Sequence, residues 1–168
     1  MIIVVMKYIV IYTDGSCNVR TGLGGYGSLM QYREDRKVIS ERELSVGYKN
    51  TTVSRMELRA IIESLRLIKK KNIPIVLISD SEYTVNSVNK GWVFNWERNG
   101  IRSRKNWDLW EQFLEVYRSF PKGIIEVRHT RGHGRGKDCY QEGNDRADEL
   151  ASYKNFEYFI EDNPPEVA

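Results

Sequence analysis

The sequence predicts an α/β domain built on a mixed sheet, and three observations carry that expectation. Early in the chain, apolar residues recur with the two-residue period of strands. From Ser54 the period lengthens to about 3.6, as in an amphipathic helix. Two short apolar runs then fall between helical stretches, which is how parallel strands are added to a sheet. Five strands are expected, three antiparallel and two parallel additions, with helices on both faces.

Tyr8 to Ser16 reads as a central strand, because Ile9, Val10 and Ile11 are apolar on both faces. It ends at Asp14-Gly15, which in isolation reads as a turn whose carboxylate bonds its own backbone. Gly22, Gly24, Gly25 and Gly27 follow without the Lys and Ser/Thr of a P-loop, so a hairpin is expected in place of a nucleotide cradle. Tyr26 to Tyr32 and Lys37 to Val46 complete a three-stranded meander. A helix runs from Ser54, with Lys69-Lys70-Lys71 at the negative end of its dipole. Ile75 to Ile78 is a buried strand closing on Ser79-Asp80, and Tyr83 to Lys90 is helical.

Trp92 to Trp110 holds four tryptophans with Arg98, Arg102, Arg104 and Lys105 between them. Such interleaving suits a nucleic-acid backbone, with Trp stacking and cations facing phosphates, but it equally suits a core with a solvated basic face. Within the helix Trp107 to Phe120, Trp107 and Trp110 fall on the core side. Ile124 to Val127 is the last strand, and Arg128 to Lys137 is a basic, glycine-rich loop carrying His129 and His133. A final helix starts near Asn144 and places Asp148 in its first turns. Residues 1–155 are expected to form one domain, and the Pro-containing tail within 156–168 is expected to fray.

Composition sets the bounds. The 168 residues suffice for one core without staples, and 26 Lys and Arg against 23 Asp and Glu do not by themselves diagnose a nucleic-acid partner. Cys17 and Cys139 lack metal-ligand spacing and suit a reducing compartment, with a bridge between them as the alternative. The apolar start, Met1 to Val5, lacks a signal-peptide pattern, Met6 offers a second start, and no run approaches the roughly 20 residues of a membrane span. A cytoplasmic protein without a membrane role is expected.

Four acids stand out by position: Asp14 and Asp80 at strand ends, and Glu57 and Asp148 near helix starts. Each has an ordinary alternative. Ser54 and Glu57 have capping-box spacing, Asp80 could cap the next helix, and Asp148 could complement a dipole. If the two strands are neighbours, however, their carboxylates lie about 5 Å apart and repel by roughly 3 kcal/mol at an effective dielectric near 20. Hard cations relieve that repulsion, and an oxygen-only ligand set favours Mg²⁺ or Mn²⁺. Two such ions form the clamp used for in-line displacement at phosphorus.

Six blocks in register then resemble the type 1 ribonuclease H family. They are Tyr12-Thr-Asp14-Gly-Ser-Cys with Gly24-Gly-Tyr-Gly; Thr51-Thr-Val-Ser-Arg-Met-Glu57-Leu; Ser79-Asp80-Ser-Glu-Tyr; Trp92 to Trp96 with Asn106-Trp-Asp-Leu-Trp; Arg131-Gly-His133; and Asn144-Asp-Arg-Ala-Asp148-Glu-Leu-Ala. The resemblance implies the RNase H-like fold and Mg²⁺-dependent endonucleolytic cutting of the RNA strand of an RNA–DNA hybrid, with 5′-phosphate and 3′-hydroxyl products. It implies that Asp14 bridges two ions, that Asp148 helps hold the one that activates water, and that Glu57 and Asp80 hold the other. His133 would assist proton transfer or product departure. Cys17, Ser54 and Glu57 would meet the RNA strand, Thr52 and Asn106 the phosphate pocket for the other strand, and Trp92 and Trp96 its aromatic channel. Arg55, Arg102, Arg104 and Lys105 are candidate phosphate contacts. A monomer with no obligate protein partner is expected.

The sequence departs from the family pattern at Val53, Asn50 and Arg20, and in a shorter basic protrusion carrying Glu97. The Gly134 to Gly143 segment is longer than usual, which bears on where His133 sits.

Overall fold

The computed structural model describes residues 1–131 and 139–168; His133 lies outside the described residues. Its strands are β1 (Lys7–Cys17), β2 (Gly24–Glu34), β3 (Lys37–Lys49), β4 (Ile75–Ser79), β5 (Ile125–His129) and β6 (Ile160–Glu161). The helices are α1 (Val53–Arg66), α2 (Glu82–Asn89), α3 (Trp92–Asn99), α4 (Trp107–Arg118) and α5 (Gln141–Ala151).

The strand order is β5-β4-β1-β2-β3-β6. β1, β2 and β3 form the antiparallel meander, while β4 joins β1 and β5 joins β4 in parallel. Among the described residues the sheet therefore has six strands and not the expected five. The additional one is β6, which pairs in parallel with Tyr48 and Lys49 of β3. The tail is anchored there, since the next residue, Asp162, is 2% exposed and ion-paired.

Side-chain alternation along β1 sends residues to two cores. Ile11 joins Leu58, Ile62 and Leu65 of α1, Val85 of α2, and Leu109, Trp110 and Phe113 of α4. Val10 and Tyr12 join Leu29, Ile78 and Ala147 of α5 on the opposite face. Helices thus cover both faces, as the mixed sheet requires to keep its parallel half out of water. Among the described residues no helix is long and apolar enough to cross a membrane, and Cys17 and Cys139 are free thiols.

Helix starts differ from the sequence reading in ways that bear on the acids. The N-cap of α1 is Thr52, whose hydroxyl accepts from the Arg55 N–H at 3.4 Å, so Glu57 is one turn into the helix and is not the reciprocal cap group. For α2, Ser81 caps by accepting from the Thr84 N–H, and Asp80 does not. α5 starts at Gln141, so Asp148 lies in its C-terminal half and the favourable N-terminal dipole does not account for it.

Candidate active site

β1 and β4 run in parallel register with Thr13 opposite Ser79, so the next residue on each, Asp14 and Asp80, emerges at the same edge. Two glycines on paired strands let helices approach that edge from both faces. A Cβ at Gly15 would lie 2.4 Å from the Glu57 N–H nitrogen of α1, and one at Gly27, opposite Asp14, 2.4 Å from the Ala147 carbonyl of α5. The first close approach brings Glu57 to Asp14, and the second brings the Asp148 turn.

Asp14, Glu57 and Asp80 each place a carboxylate oxygen within 4.8 Å of the others. Asp14 and Glu57 are both only 5% exposed. The Gly15 N–H donates to Asp14 Oδ1 at 2.8 Å, and Glu57, Asp80 and Asp148 all lie close enough to act on the Asp14 carboxyl. Burial first, and then the neighbouring Asp80 charge, push the Asp14 carboxyl from 3.8 up to about 7. Glu57 is pushed well above the ordinary carboxyl range by burial and then by Asp14. Glu57 Oε2 is buried with no hydrogen-bond partner among the described residues. A buried carboxylate oxygen costs several kcal/mol unless something occupies its lone pairs. Crowded oxygens of this kind fit a hard divalent cation.

Beside the acids, Thr52, Ser54 and Asn106 form one hydroxyl–amide patch. Asn106 Nδ2 donates to Ser54 Oγ at 3.1 Å, and Ser54 Oγ lies 3.3 Å from Thr52 Oγ1. Cys17 Sγ reaches the Thr51 carbonyl at 3.4 Å. Arg55 does not join this surface. Its side chain is 1% exposed and paired with Asp108 and Asp162, so it cannot meet a phosphate. The adjacent aspartates make this arginine a buried brace.

The four tryptophans divide. Trp110 is buried at 1% exposure, Trp107 is partly buried, and Trp96 lies at the core's edge at 9%. Trp92 is 37% exposed. Tyr83, which the sequence reading passed over, is 50% exposed, stacks on Trp96 at 6.2 Å and meets Trp92 at 6.3 Å. Its signal was available: an aromatic three residues beyond a candidate acid, where α2 begins. Arg104 lies over Trp96 at 5.5 Å, whereas Arg102 lies over Trp107 at 4.8 Å, and Lys105 is exposed. Glu97 is held by both arms of Arg118 at 2.6 Å, so its charge is compensated within the protein. Asn50, at a positive φ, donates to Glu161 of the tail.

A mixed sheet thus gathers at one edge an acidic cluster able to hold a metal ion, with hydroxyls, amides and exposed aromatics alongside. The family model described as RNase H matches residues 6–155. The Ribonuclease H of Syntrophomonas wolfei is 39% identical over 151 residues, covering 87% of this chain and 94% of that one. That of Syntrophus aciditrophicus is 40% identical, covering 86% and 79%. Among solved structures, LC9-RNase H1, a type 1 RNase H with the type 2 active-site motif, superposes with TM-score 0.71 at 30% identity, covering 87% of this chain and 71% of that one. The PFV RNase H domain superposes with TM-score 0.68 at 25% identity, covering 87% and 93%. The chain belongs to the RNase H family and is a hydrolase of the nuclease class.

Proposed function

We propose that the chain hydrolyses the RNA strand of RNA–DNA hybrids with two Mg²⁺ ions, leaving 5′-phosphate and 3′-hydroxyl ends. The observation that carries this reading is the convergence of Asp14, Glu57 and Asp80 within 4.8 Å, with one Glu57 oxygen buried and unpartnered. Asp14 would be shared between the ions, with Asp148 helping to hold one and Glu57 and Asp80 the other. Such ions supply Lewis acidity, lowering the pKa of a water and neutralising charge on the leaving oxygen.

The protein's own groups orient the duplex. Cys17 and Ser54 would meet the RNA strand beside Glu57, while Thr52 and Asn106 offer a hydroxyl and an amide to a phosphate of the other strand. Tyr83, Trp92 and Trp96 present faces for sugars or bases, with Arg104 and Lys105 near the backbone. Reading two strands by hydroxyl contacts and shape, and not by base edges, suits a hybrid substrate. His133, an imidazole in a glycine-rich stretch of the sequence, would assist proton transfer or product departure. In this reading the protein acts as a monomer, with every proposed group supplied by the one chain.

Labelled hybrid, duplex DNA, duplex RNA and a four-way junction, each incubated with Mg²⁺ or chelator, test the reading. Hybrid cleavage that needs Mg²⁺ and is lost in Asp80→Asn is expected. Cleavage of junctions but not hybrids, or undiminished cleavage by Asp80→Asn, overturns it.

A further inference from the structure

The C-terminal segment carries a buried carboxylate that the proposed chemistry does not use. Both oxygens of Asp162 are fully engaged. Oδ2 accepts from Arg55 Nε at 2.7 Å and Thr51 Oγ1 at 2.8 Å; Oδ1 accepts from Arg55 Nη2 at 3.0 Å and Arg59 Nη2 at 2.8 Å. Burial alone would push this carboxyl up, but the bonds from Arg55, Arg59 and Thr51 outweigh it and hold it at about 2.

The other edge of the Arg55 fork faces α4. Nη1 and Nη2 donate to Asp108 at 2.9 and 2.8 Å, and Nη1 donates to Asn106 Oδ1 at 3.4 Å. Asn106 is held at φ +61 immediately before α4, a conformation that needs support in a residue other than glycine. Its amide carbonyl is tied to Arg55, so its Nδ2 is directed toward Ser54 and the Thr52 hydroxyl. Arg55 can orient Asn106 only if its own plane is fixed, and Asp162 fixes it from behind by a two-pronged pair. The tail continues along the same stretch: the Glu166 carbonyl accepts from Trp107 Nε1, and the Ala168 N–H donates to the Arg102 carbonyl, both at 3.1 Å.

A buried ion pair is weak evidence for stability, since apolar residues of the same volume often serve as well. Orientation is what such a fork supplies and an apolar contact does not. We propose that Asp162 is a positioning residue for the Thr52–Asn106 phosphate pocket, acting through Arg55, so that the C-terminal segment sets how firmly the uncut strand is gripped. This inference rests on the reading of Thr52 and Asn106 as that pocket.

Steady-state cleavage of a long hybrid by the full chain tests it, using Asp162→Asn, Thr51→Val, Asn106→Ala and Asp162→Asn combined with Asn106→Ala. Asp162→Asn is expected to raise KM about tenfold, the scale of one hydrogen bond to a charged group, with kcat within about twofold. Thr51→Val, which removes one donor to Asp162 and keeps every charge, is expected to raise KM in the same direction by about two- to threefold, and it carries the test if Asp162→Asn does not fold. The combined variant should show no larger KM than Asn106→Ala alone, because the two act on one contact. An unchanged KM in Asp162→Asn and Thr51→Val with a lowered Tm would mean mere bracing, and additive KM effects would mean action elsewhere; either overturns the inference. Wild-type protein that leaves hybrids uncut removes the pocket reading and this inference with it, whereas wild-type cleavage with unchanged KM in the variants removes only the inference.

Discussion

Asp14→Asn should make the metal-free protein more stable while abolishing its activity. Asp14 is 5% exposed, so solvent screens it little, and its carboxyl is raised from 3.8 to about 7 by burial and the Asp80 charge. Between those values the folded chain keeps a proton that the unfolded chain has released. Stability therefore falls as pH rises through that window, and the full cost is present above about 7. Each pKa unit corresponds to 1.36 kcal/mol, which gives about 4 kcal/mol, or about 2 where the neighbouring carboxyls share the proton. Asparagine keeps the shape and an acceptor for the Gly15 N–H but cannot ionise. Urea unfolding in chelator from pH 4 to 9 should show the variant about 2 to 4 kcal/mol more stable at pH 8, converging with the parent near pH 4. Added Mg²⁺ should stabilise the parent and leave the variant nearly unchanged, because only a site that binds in the folded state shifts the equilibrium. A variant no more stable than the parent at pH 8 in chelator would refute the picture of carboxylates held together against their repulsion.

Gly27→Ala places a methyl against the α5 backbone at Ala147 and Ala151, pushing the helix and Asp148 off the sheet. Overpacking should cost about 1 to 3 kcal/mol in a thermal melt, and a displacement near 1 Å should lower kcat about 100-fold, whereas retained activity would show that Asp148 does not depend on this approach. Tyr83→Ala removes the exposed ring stacked on Trp96 and should raise KM for the hybrid about tenfold with little change in kcat, read in the same steady-state assay; an unchanged KM would separate this ring from the duplex.

The sheet's outline was legible because the strands write their burial into local pattern. Ile9 to Ile11 and Ile75 to Ile78 are apolar on both faces, so their neighbouring positions and the convergence of Asp14 with Asp80 could be anticipated. What settles the ordinary alternatives for Glu57 and Asp148 is not local. The capping spacing at Ser54 is present, yet Thr52 caps instead, and α5 starts earlier than Asn144 because packing of Gly143 against the Tyr12 ring outweighs glycine's poor helix propensity. The anchoring of the tail was not legible for a related reason. Glu161-Asp-Asn-Pro-Pro is polar and broken by prolines, and its order depends on Arg55, which lies 107 residues away from Asp162. Arg55 itself reads as a surface cation in sequence, since nothing nearby announces two aspartates brought to it from α4 and the chain's end. Tyr83 was missed because its partners Trp92 and Trp96 lie on the next helix.

One duplex labelled on both strands tests the central claim most directly. A hybrid carrying one dye on its RNA and another on its DNA, incubated with the protein and Mg²⁺ and resolved at single-nucleotide length, should yield shortened RNA with 3′-hydroxyl ends, intact DNA, and no reaction in chelator. Shortened DNA, or RNA cleavage that persists without divalent metal, would contradict the assignment of Asp14, Glu57, Asp80 and Asp148 to a metal-dependent hybrid nuclease.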